Sequence, residues 1–160
     1  MKGYYRYPKR DPIKDYFPLP NELFTLDLSA GEIAVYGYLM RCEDRETHRC
    51  HPSYRTIGRA VNLSPNTVRK HVRSLEEKRL IVTEYTTVVT RSGEKRNGTL
   101  LYNLRPIEEA VRFHLEQMME KAEEESQRRK IQAKLAGLER KRSGGPLPGH
   151  IPDVQWELPT

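Results

Sequence analysis

The sequence has few of the features that mark secreted and membrane proteins. Only two cysteines occur among 160 residues, so a secreted fold held by disulfides is not expected. No run of about 18 apolar residues is present, which predicts no membrane span. The first dozen residues contain no apolar stretch of the kind that a secretory signal needs. We therefore expect a soluble protein of the cytoplasm.

Apolar residues are also scarce, at 36% of the chain, whereas charged residues make up 31%. This low apolar share predicts that part of the chain is extension rather than core. The net charge is +6, and residues 53–79 alone hold seven basic and two acidic residues. Such a concentrated basic segment favours a nucleic-acid partner, with a solvated surface that has no partner as the alternative.

Composition divides the chain into four parts. Residues 1–20 are rich in tyrosine, proline and basic side chains and are expected to form an N-terminal arm. Residues 21–105 are expected to form a compact domain, and residues 106–142 one long helix opened by Pro106. Residues 143–160 are rich in proline and glycine and predict an irregular tail.

Three serines predict where the helices of the compact domain begin. Ser29 precedes Glu32 by three residues, which is the spacing of a capping box. Ser53 and Ser64 are in position to cap a second and a third helix, and Pro65 suits the first position of the third. The apolar spacing of the third helix predicts a buried face formed by Val68, Val72 and Leu75.

The segments around these helices have a different pattern. Residues 43–52 are polar and predict a loop between the first two helices. Residues 80–90 and 99–104 are β-branched and apolar, so they predict two strands joined by a basic loop at residues 91–98. The predicted fold class is α+β, mostly α: a winged helix-turn-helix of three helices and a β-hairpin wing, followed by a long C-terminal helix.

Two segments carry a family resemblance. Residues 56–72, TIGRAVNLSPNTVRKHV, and residues 75–81, LEEKRLI, resemble bacterial winged helix-turn-helix regulators of the GntR and MarR types. Residues 17–24, FPLPNELF, are similar to the opening of replication initiator A N-terminal domains from plasmids and mobile elements. Arg79 stands where the regulators usually have glycine, so we expect a strained or altered helix end there.

The resemblance implies that the third helix enters the major groove of DNA while the wing lies against the backbone or the minor groove. Asparagine and arginine have the hydrogen-bonding geometry to read adenine and guanine. The candidate DNA contacts are Ser64, Asn66, Thr67, Arg69, Lys70 and Arg73 on the third helix, Tyr54 and Arg55 on the second, and Arg91, Lys95 and Arg96 in the wing.

One short stretch raises other possibilities. Cys42, His48, Cys50 and His51 fall within ten residues. A zinc site and a redox pair of cysteines are two readings, but the spacing matches no common zinc motif, which favours two half-buried thiols beside surface histidines. No nucleophile–base set is evident either. We expect no metal, no cofactor and no enzymatic activity.

The predicted long helix carries an apolar stripe at helical spacing, formed by Ile107, Val111, Leu115, Met118 and Ala122. The stripe either packs back on the compact domain or forms the seam of a homodimer, and we expect the dimer.

The predicted function is therefore that of a sequence-specific protein that binds double-stranded DNA, a dimeric transcriptional regulator. A replication-initiator-like protein is the alternative within the same class. A protein-interaction module that uses a winged fold without DNA is the alternative outside it. No segment of the sequence indicates a small-molecule effector.

Overall fold

A computed structural model describes Lys14 and residues 16–144. Most of the predicted arm and tail therefore lie outside the described residues. The elements, in chain order, are a 3₁₀ helix Asn21–Thr25, α1 Ala30–Cys42, β1 Arg49–Cys50, α2 Tyr54–Val61, α3 Pro65–Glu77, β2 Ile81–Val89, β3 Lys95–Leu104 and α4 Ile107–Ser143. The three strands form one antiparallel sheet in the order β1-β3-β2. This is the winged helix-turn-helix arrangement, so the predicted fold class is confirmed.

The core lies between the three-helix cluster and the sheet. Val68, Val72 and Leu75 are buried, as the spacing of α3 predicts. They are joined by Leu39 from α1 and by Tyr102 from the central strand β3. One face of α3 is buried by this packing, and the opposite face does not contribute to the core.

The segment predicted as a loop, residues 43–52, contains a strand. Arg49 and Cys50 pair with Asn103 and Tyr102 along the edge of β3. A two-residue strand is too short for an alternating pattern to show in the sequence. Its position is decided by the free edge of β3, which is distant along the chain.

The wing is also more regular than its composition indicates. The predicted loop over residues 91–98 is wrong, because β3 begins at Lys95 and leaves a turn closed by the Thr90 N–H on the Glu94 carbonyl at 2.9 Å. Gly93 takes a φ of 81° within this turn, a value that glycine adopts without strain. Residues 95–98 are polar and loop-like by composition, but pairing with β2 holds most of them in the sheet.

The long helix α4 confirms the predicted C-terminal helix. In its first turns Ala110 is buried, and Ile107 and Val111 pack against the core. The beginning of the predicted apolar stripe therefore serves the winged domain. The chain divides between Gln117 and Met118 into two compact units. Residues 118–143 are helical and almost entirely exposed. No described helix is apolar over a length that would cross a bilayer.

Glu32 joins the beginning of α1 to the end of α3. Only 4% of this residue is exposed. Its carboxylate accepts the Ser29 backbone N–H at 2.6 Å, completing the predicted capping box. It also accepts the Ser74 hydroxyl proton, and the Lys78 Nζ lies 2.9 and 3.1 Å from its two oxygens. Burial raises the pKa of this carboxyl, but the donors from Ser74, Ser29 and Lys78 outweigh burial and lower it to about 2.

We expect Glu32→Gln to lower the free energy of unfolding at pH 7 by about 2 kcal/mol, because the buried donors lose a charged acceptor. The folded-state pKa lies below the ordinary value of 4.5. The contribution of the charge is therefore complete above that value and is lost as the pH falls toward 2. The stability gap between wild type and variant should shrink accordingly on acidification.

Urea denaturation at pH 7 and at pH 3 measures this gap. Glu22→Gln is the matched control, because Glu22 is exposed in the 3₁₀ helix, and it should change stability by less than about 0.5 kcal/mol. Equal stabilities of the two variants at pH 7 would contradict the proposed role of Glu32.

Candidate nucleic-acid interface

The connection between α2 and α3 is a short turn of defined geometry. Asn62 ends α2 with a left-handed φ of 56°. The Leu63 N–H donates to the Gly58 carbonyl at 2.9 Å. A Cβ on Gly58 would collide with the Leu63 carbonyl oxygen, so the absence of a side chain lets the turn lie against α2.

Both helices of this pair begin at the predicted serine caps. The hydroxyl oxygens of Ser53 and Ser64 each accept a backbone N–H at 3.1 Å, from Thr56 and Thr67 respectively. The Thr67 and Ser64 hydroxyls are also hydrogen-bonded, at 2.8 Å. Ser64 and Thr67, both predicted DNA contacts, therefore stabilise the start of α3, and contact with DNA would be a second role.

The free face of α3 carries unpaired positive charge. Asn66, Arg69, Lys70 and Arg73 are exposed on it. They line an open cleft of about 450 Å³ together with Ser74 and Glu77. The three basic side chains make no hydrogen bond or ion pair within residues 16–144. The structure thus brings four of the predicted contacts together on one surface, where the charge of the three basic side chains is available to an anion.

The second helix adds to the same charge. Arg55 is exposed, and Tyr54 is half-buried at the first position of α2. Burial and, to a smaller extent, Tyr85 raise the pKa of the Tyr54 hydroxyl, so this hydroxyl is a proton donor at neutral pH. Arg59, one turn beyond Arg55, is also exposed. Sequence reasoning missed Arg59, although its spacing of four from Arg55 on a helix was a usable signal.

The wing residues lie near the hairpin turn. Arg91 is in the turn itself, and Lys95 and Arg96 are exposed in the first two positions of β3. Arg96 pairs with Glu94 at 3.2 Å, and both side chains are well exposed. A surface pair of this kind contributes between 0 and about 1 kcal/mol, so it does not prevent Arg96 from contacting a ligand.

Two features of the interface have no signal in the local sequence. Thr83 of β2 donates its backbone N–H and its hydroxyl proton to one carboxylate oxygen of Glu76, at 2.9 and 2.6 Å, which ties the wing to α3. Tyr85 is 90% exposed and shares a groove with Tyr54 and Arg69. The sequence indicates Tyr85 only as a strand former.

Three members of the cysteine and histidine cluster, Cys42, Cys50 and His51, line one open cavity. Cys50 is buried, and its thiol contacts the Leu39 carbonyl oxygen at 3.6 Å. Burial raises the pKa of the Cys50 thiol to about 12, with further contributions from Cys42 and Glu43, which is the opposite of a reactive thiol. Cys42, His48 and His51 are exposed. Among the described residues, no three side chains of metal-binding type come together.

Comparison with known families agrees with this geometry. Residues 26–81 match a family model described as a helix-turn-helix domain. The chain carries a helix-turn-helix domain. The match extends from just before α1 to the first residue of β2. The prediction of a helix-turn-helix protein, made above from residues 56–81, is confirmed.

The structure is also similar to solved structures. A possible transcriptional regulator from Methanosarcina mazei has 15% identity, covers 66% of this chain and 82% of its own, and gives a TM-score of 0.43. A Staphylococcus aureus MepR–DNA complex has 19% identity, coverages of 75% and 85%, and a TM-score of 0.36. Lactococcus lactis ZitR in complex with DNA has 20% identity, coverages of 72% and 77%, and a TM-score of 0.32. Likenesses this distant add no weight to the functional conclusion. No curated protein matches the chain significantly.

The helix-turn-helix domain enters its wing through Arg79. The N–H of Arg79 donates to the Glu76 carbonyl at 2.9 Å, and the N–H of Leu80 donates to the Leu75 carbonyl at 3.0 Å. These two bonds form a Schellman motif, whose left-handed position usually belongs to glycine. Arg79 occupies it with a φ of 61°. Its guanidinium carbon lies 4.7 Å from the centre of the Phe113 ring in α4, which offsets part of the backbone strain.

We expect Arg79→Ala to destabilise the protein by about 0.5–1 kcal/mol, because it removes the ring contact and keeps the strained backbone. Arg79→Gly should be about 1 kcal/mol more stable than Arg79→Ala, since glycine relieves that strain. Thermal and urea unfolding of the wild type and the two variants measure their order of stability. In a Phe113→Leu background, Arg79→Ala should lower the free energy of unfolding by less than it does in the wild type. Equal stability of the alanine and glycine variants would contradict the strained cap.

Proposed function

We propose that this protein binds double-stranded DNA with sequence specificity and acts as a transcription regulator. The observation that carries the proposal is the free face of α3 in a helix-turn-helix domain, where Asn66 lies beside three basic side chains that are unpaired among the described residues. A basic surface attracts the DNA phosphates, and an exposed helix of this kind fits the major groove. A binding role of this type needs no catalysis and no cofactor. The proposed function locates the protein in the cytoplasm, where it has access to DNA.

The residues of the interface take different roles in this proposal. Asn66 and Arg69 lie near the N-terminal end of α3 and are assigned to base edges, where Asn suits adenine and Arg suits guanine. Lys70, Arg73 and Arg55 are assigned to phosphates. The wing residues Arg91, Lys95 and Arg96 are assigned to the backbone or minor groove beside the recognition helix.

Selection of bound sequences from a random duplex pool provides the DNA site for the test. Binding to that site should weaken steeply with salt, with a log–log slope near −5 if about six phosphates are neutralised. Arg69→Ala should cost about 1–3 kcal/mol in binding and relax the preference at one base position. Lys70→Ala and Arg73→Ala should weaken binding to all sequences alike and reduce the salt slope by about 1 each.

Arg45→Ala is the matched control, because it removes one exposed positive charge from an acidic loop outside this surface. The affinity of Arg45→Ala for the selected DNA should equal that of the wild type. Salt-independent binding, or loss of affinity in Arg45→Ala equal to that in Arg73→Ala, would count against the proposed interface. If the wild type binds no DNA, the protein-interaction role becomes the better reading.

We also propose that the protein is a homodimer, with residues 21–105 as the DNA-binding domain and residues 106–142 as the dimerisation helix. The supporting observation is apolar surface on α4: Met118, Met119, Ile131, Leu135 and Leu138 are between 54% and 66% exposed. Ile131, Leu135 and Leu138 share one helix face by their spacing. Exposed apolar residues on one helix face are suited to packing against a second copy.

Leu135→Glu combined with Leu138→Glu should convert the dimer to a monomer, because each charge would be buried at the seam. Sedimentation equilibrium measures the mass. Ala133→Glu places the same charge near the opposite face of the helix and should leave the dimer intact. Monomeric wild-type protein would overturn the dimer. A selected palindrome fits a two-fold dimer, whereas direct repeats would favour the replication initiator.

A further inference from the structure

A second concave surface lies beside the cleft on α3. It is a groove of about 490 Å³ between the first residues of α2, the first residues of α3 and the base of the hairpin. Tyr54, Arg69, Tyr85 and Tyr102 are among its lining residues. The DNA contacts proposed above do not use Tyr85 or Tyr102.

Tyr102 carries an unsatisfied polar group. Its side chain is fully buried in the central strand, and its hydroxyl has no hydrogen-bond partner among the described residues. A buried hydroxyl without a partner costs about 1–3 kcal/mol. Phenylalanine would fill the same space in the core without that cost. The hydroxyl therefore marks a place where the free protein lacks an acceptor.

The lining of the groove indicates the charge of that acceptor. Arg69 contributes a positive charge that no described residue neutralises. Three tyrosines line the groove, and no aspartate or glutamate lines it. The first residues of two helices, Tyr54 of α2 and Pro65 of α3, line the same groove, and the positive end of a helix dipole favours anions. An anionic oxygen suits this set of groups best.

The exposed ring of Tyr85 adds an apolar surface next to these donors. It is 90% exposed, stands on β2 and lines the groove together with Asn66 and Arg69. A donor-rich pocket beside a flat apolar ring matches the alternation of phosphate and sugar along a nucleic-acid strand. The groove also adjoins the α3 face assigned to DNA, since Asn66 and Arg69 line both.

We propose that this groove seats one backbone phosphate of the bound DNA, with the hydroxyls of Tyr54 and Tyr102 as donors and the Tyr85 ring packed on the adjoining deoxyribose. The proposal rests on the DNA-binding function above. The Tyr102 hydroxyl is buried in the free protein, so the proposal includes a local shift of the groove lining when DNA binds. The buried hydroxyl gains its acceptor only in the complex.

Tyr102→Phe removes one oxygen atom and tests the proposal directly. Without DNA, the melting temperature of the variant should equal or exceed that of the wild type, because an unsatisfied group is lost. Its affinity for the selected duplex should fall about threefold to tenfold. Tyr38→Phe, half-buried in α1 and outside the groove, is the matched control and should bind as the wild type does.

Duplexes with a single neutral methylphosphonate identify the phosphate. Moving the substitution along each strand should reveal one position at which the wild type loses affinity and Tyr102→Phe loses less. Identical losses for the two proteins at every position would overturn the proposal. If the wild type binds DNA and Tyr102→Phe binds equally well, the groove proposal fails while the proposed function stands. If the wild type binds no duplex at all, the proposed function itself fails.

Tyr85→Ala is a second variant on the surface, where folding is not at risk. It should weaken binding about threefold or more through loss of ring packing. Phe24→Ala removes another exposed ring, 73% exposed and outside the groove, and should leave affinity unchanged. Equal affinities of Tyr85→Ala and Phe24→Ala would contradict the assigned role of Tyr85.

Discussion

The buried carboxylate of Glu32 is the constraint on which the position of α3 depends. It caps α1 through Ser29 and holds the last turn of α3 through Ser74 and Lys78. A charge with so little exposure is tolerated because each oxygen has donors around it. If this group were lost, the two helices would keep their apolar contact but lose the link that sets their relative register. The contact with Glu32 on the buried side of α3 therefore sets the orientation of the exposed face.

The other contacts of α3 complete its placement. Ser64 caps its beginning, Glu76 ties it to the wing through Thr83, and Arg79 turns the chain into β2 against the Phe113 ring. Ser74, Glu76 and Lys78 of α3 are hydrogen-bonded to neighbouring elements. The outward-facing Arg69, Lys70 and Arg73 have no hydrogen bond or ion pair with any residue that the structure describes. This division leaves the charge free for a partner without disturbing the fold.

Much of the fold follows from local rules in the sequence. Serine caps at Ser29, Ser53 and Ser64 and the spacing of Val68, Val72 and Leu75 predicted the helices and the inner face of α3, and the outer face followed by elimination. The strand β1 and the early start of β3 were not predictable in this way. Both depend on pairing with distant strands, which overrides the loop-like composition of residues 43–52 and 95–98.

The sequence by itself determined which residues form helices, where the helices begin, and which side of α3 carries charge, because these properties depend on neighbours within about one turn. Only the tertiary structure decided that Ser74 and Lys78 meet Glu32 across 42 and 46 residues. It also decided that Tyr54, Tyr85 and Tyr102 share one groove with Arg69. Such groupings are made by packing between elements, and no period or motif in a single chain encodes them locally.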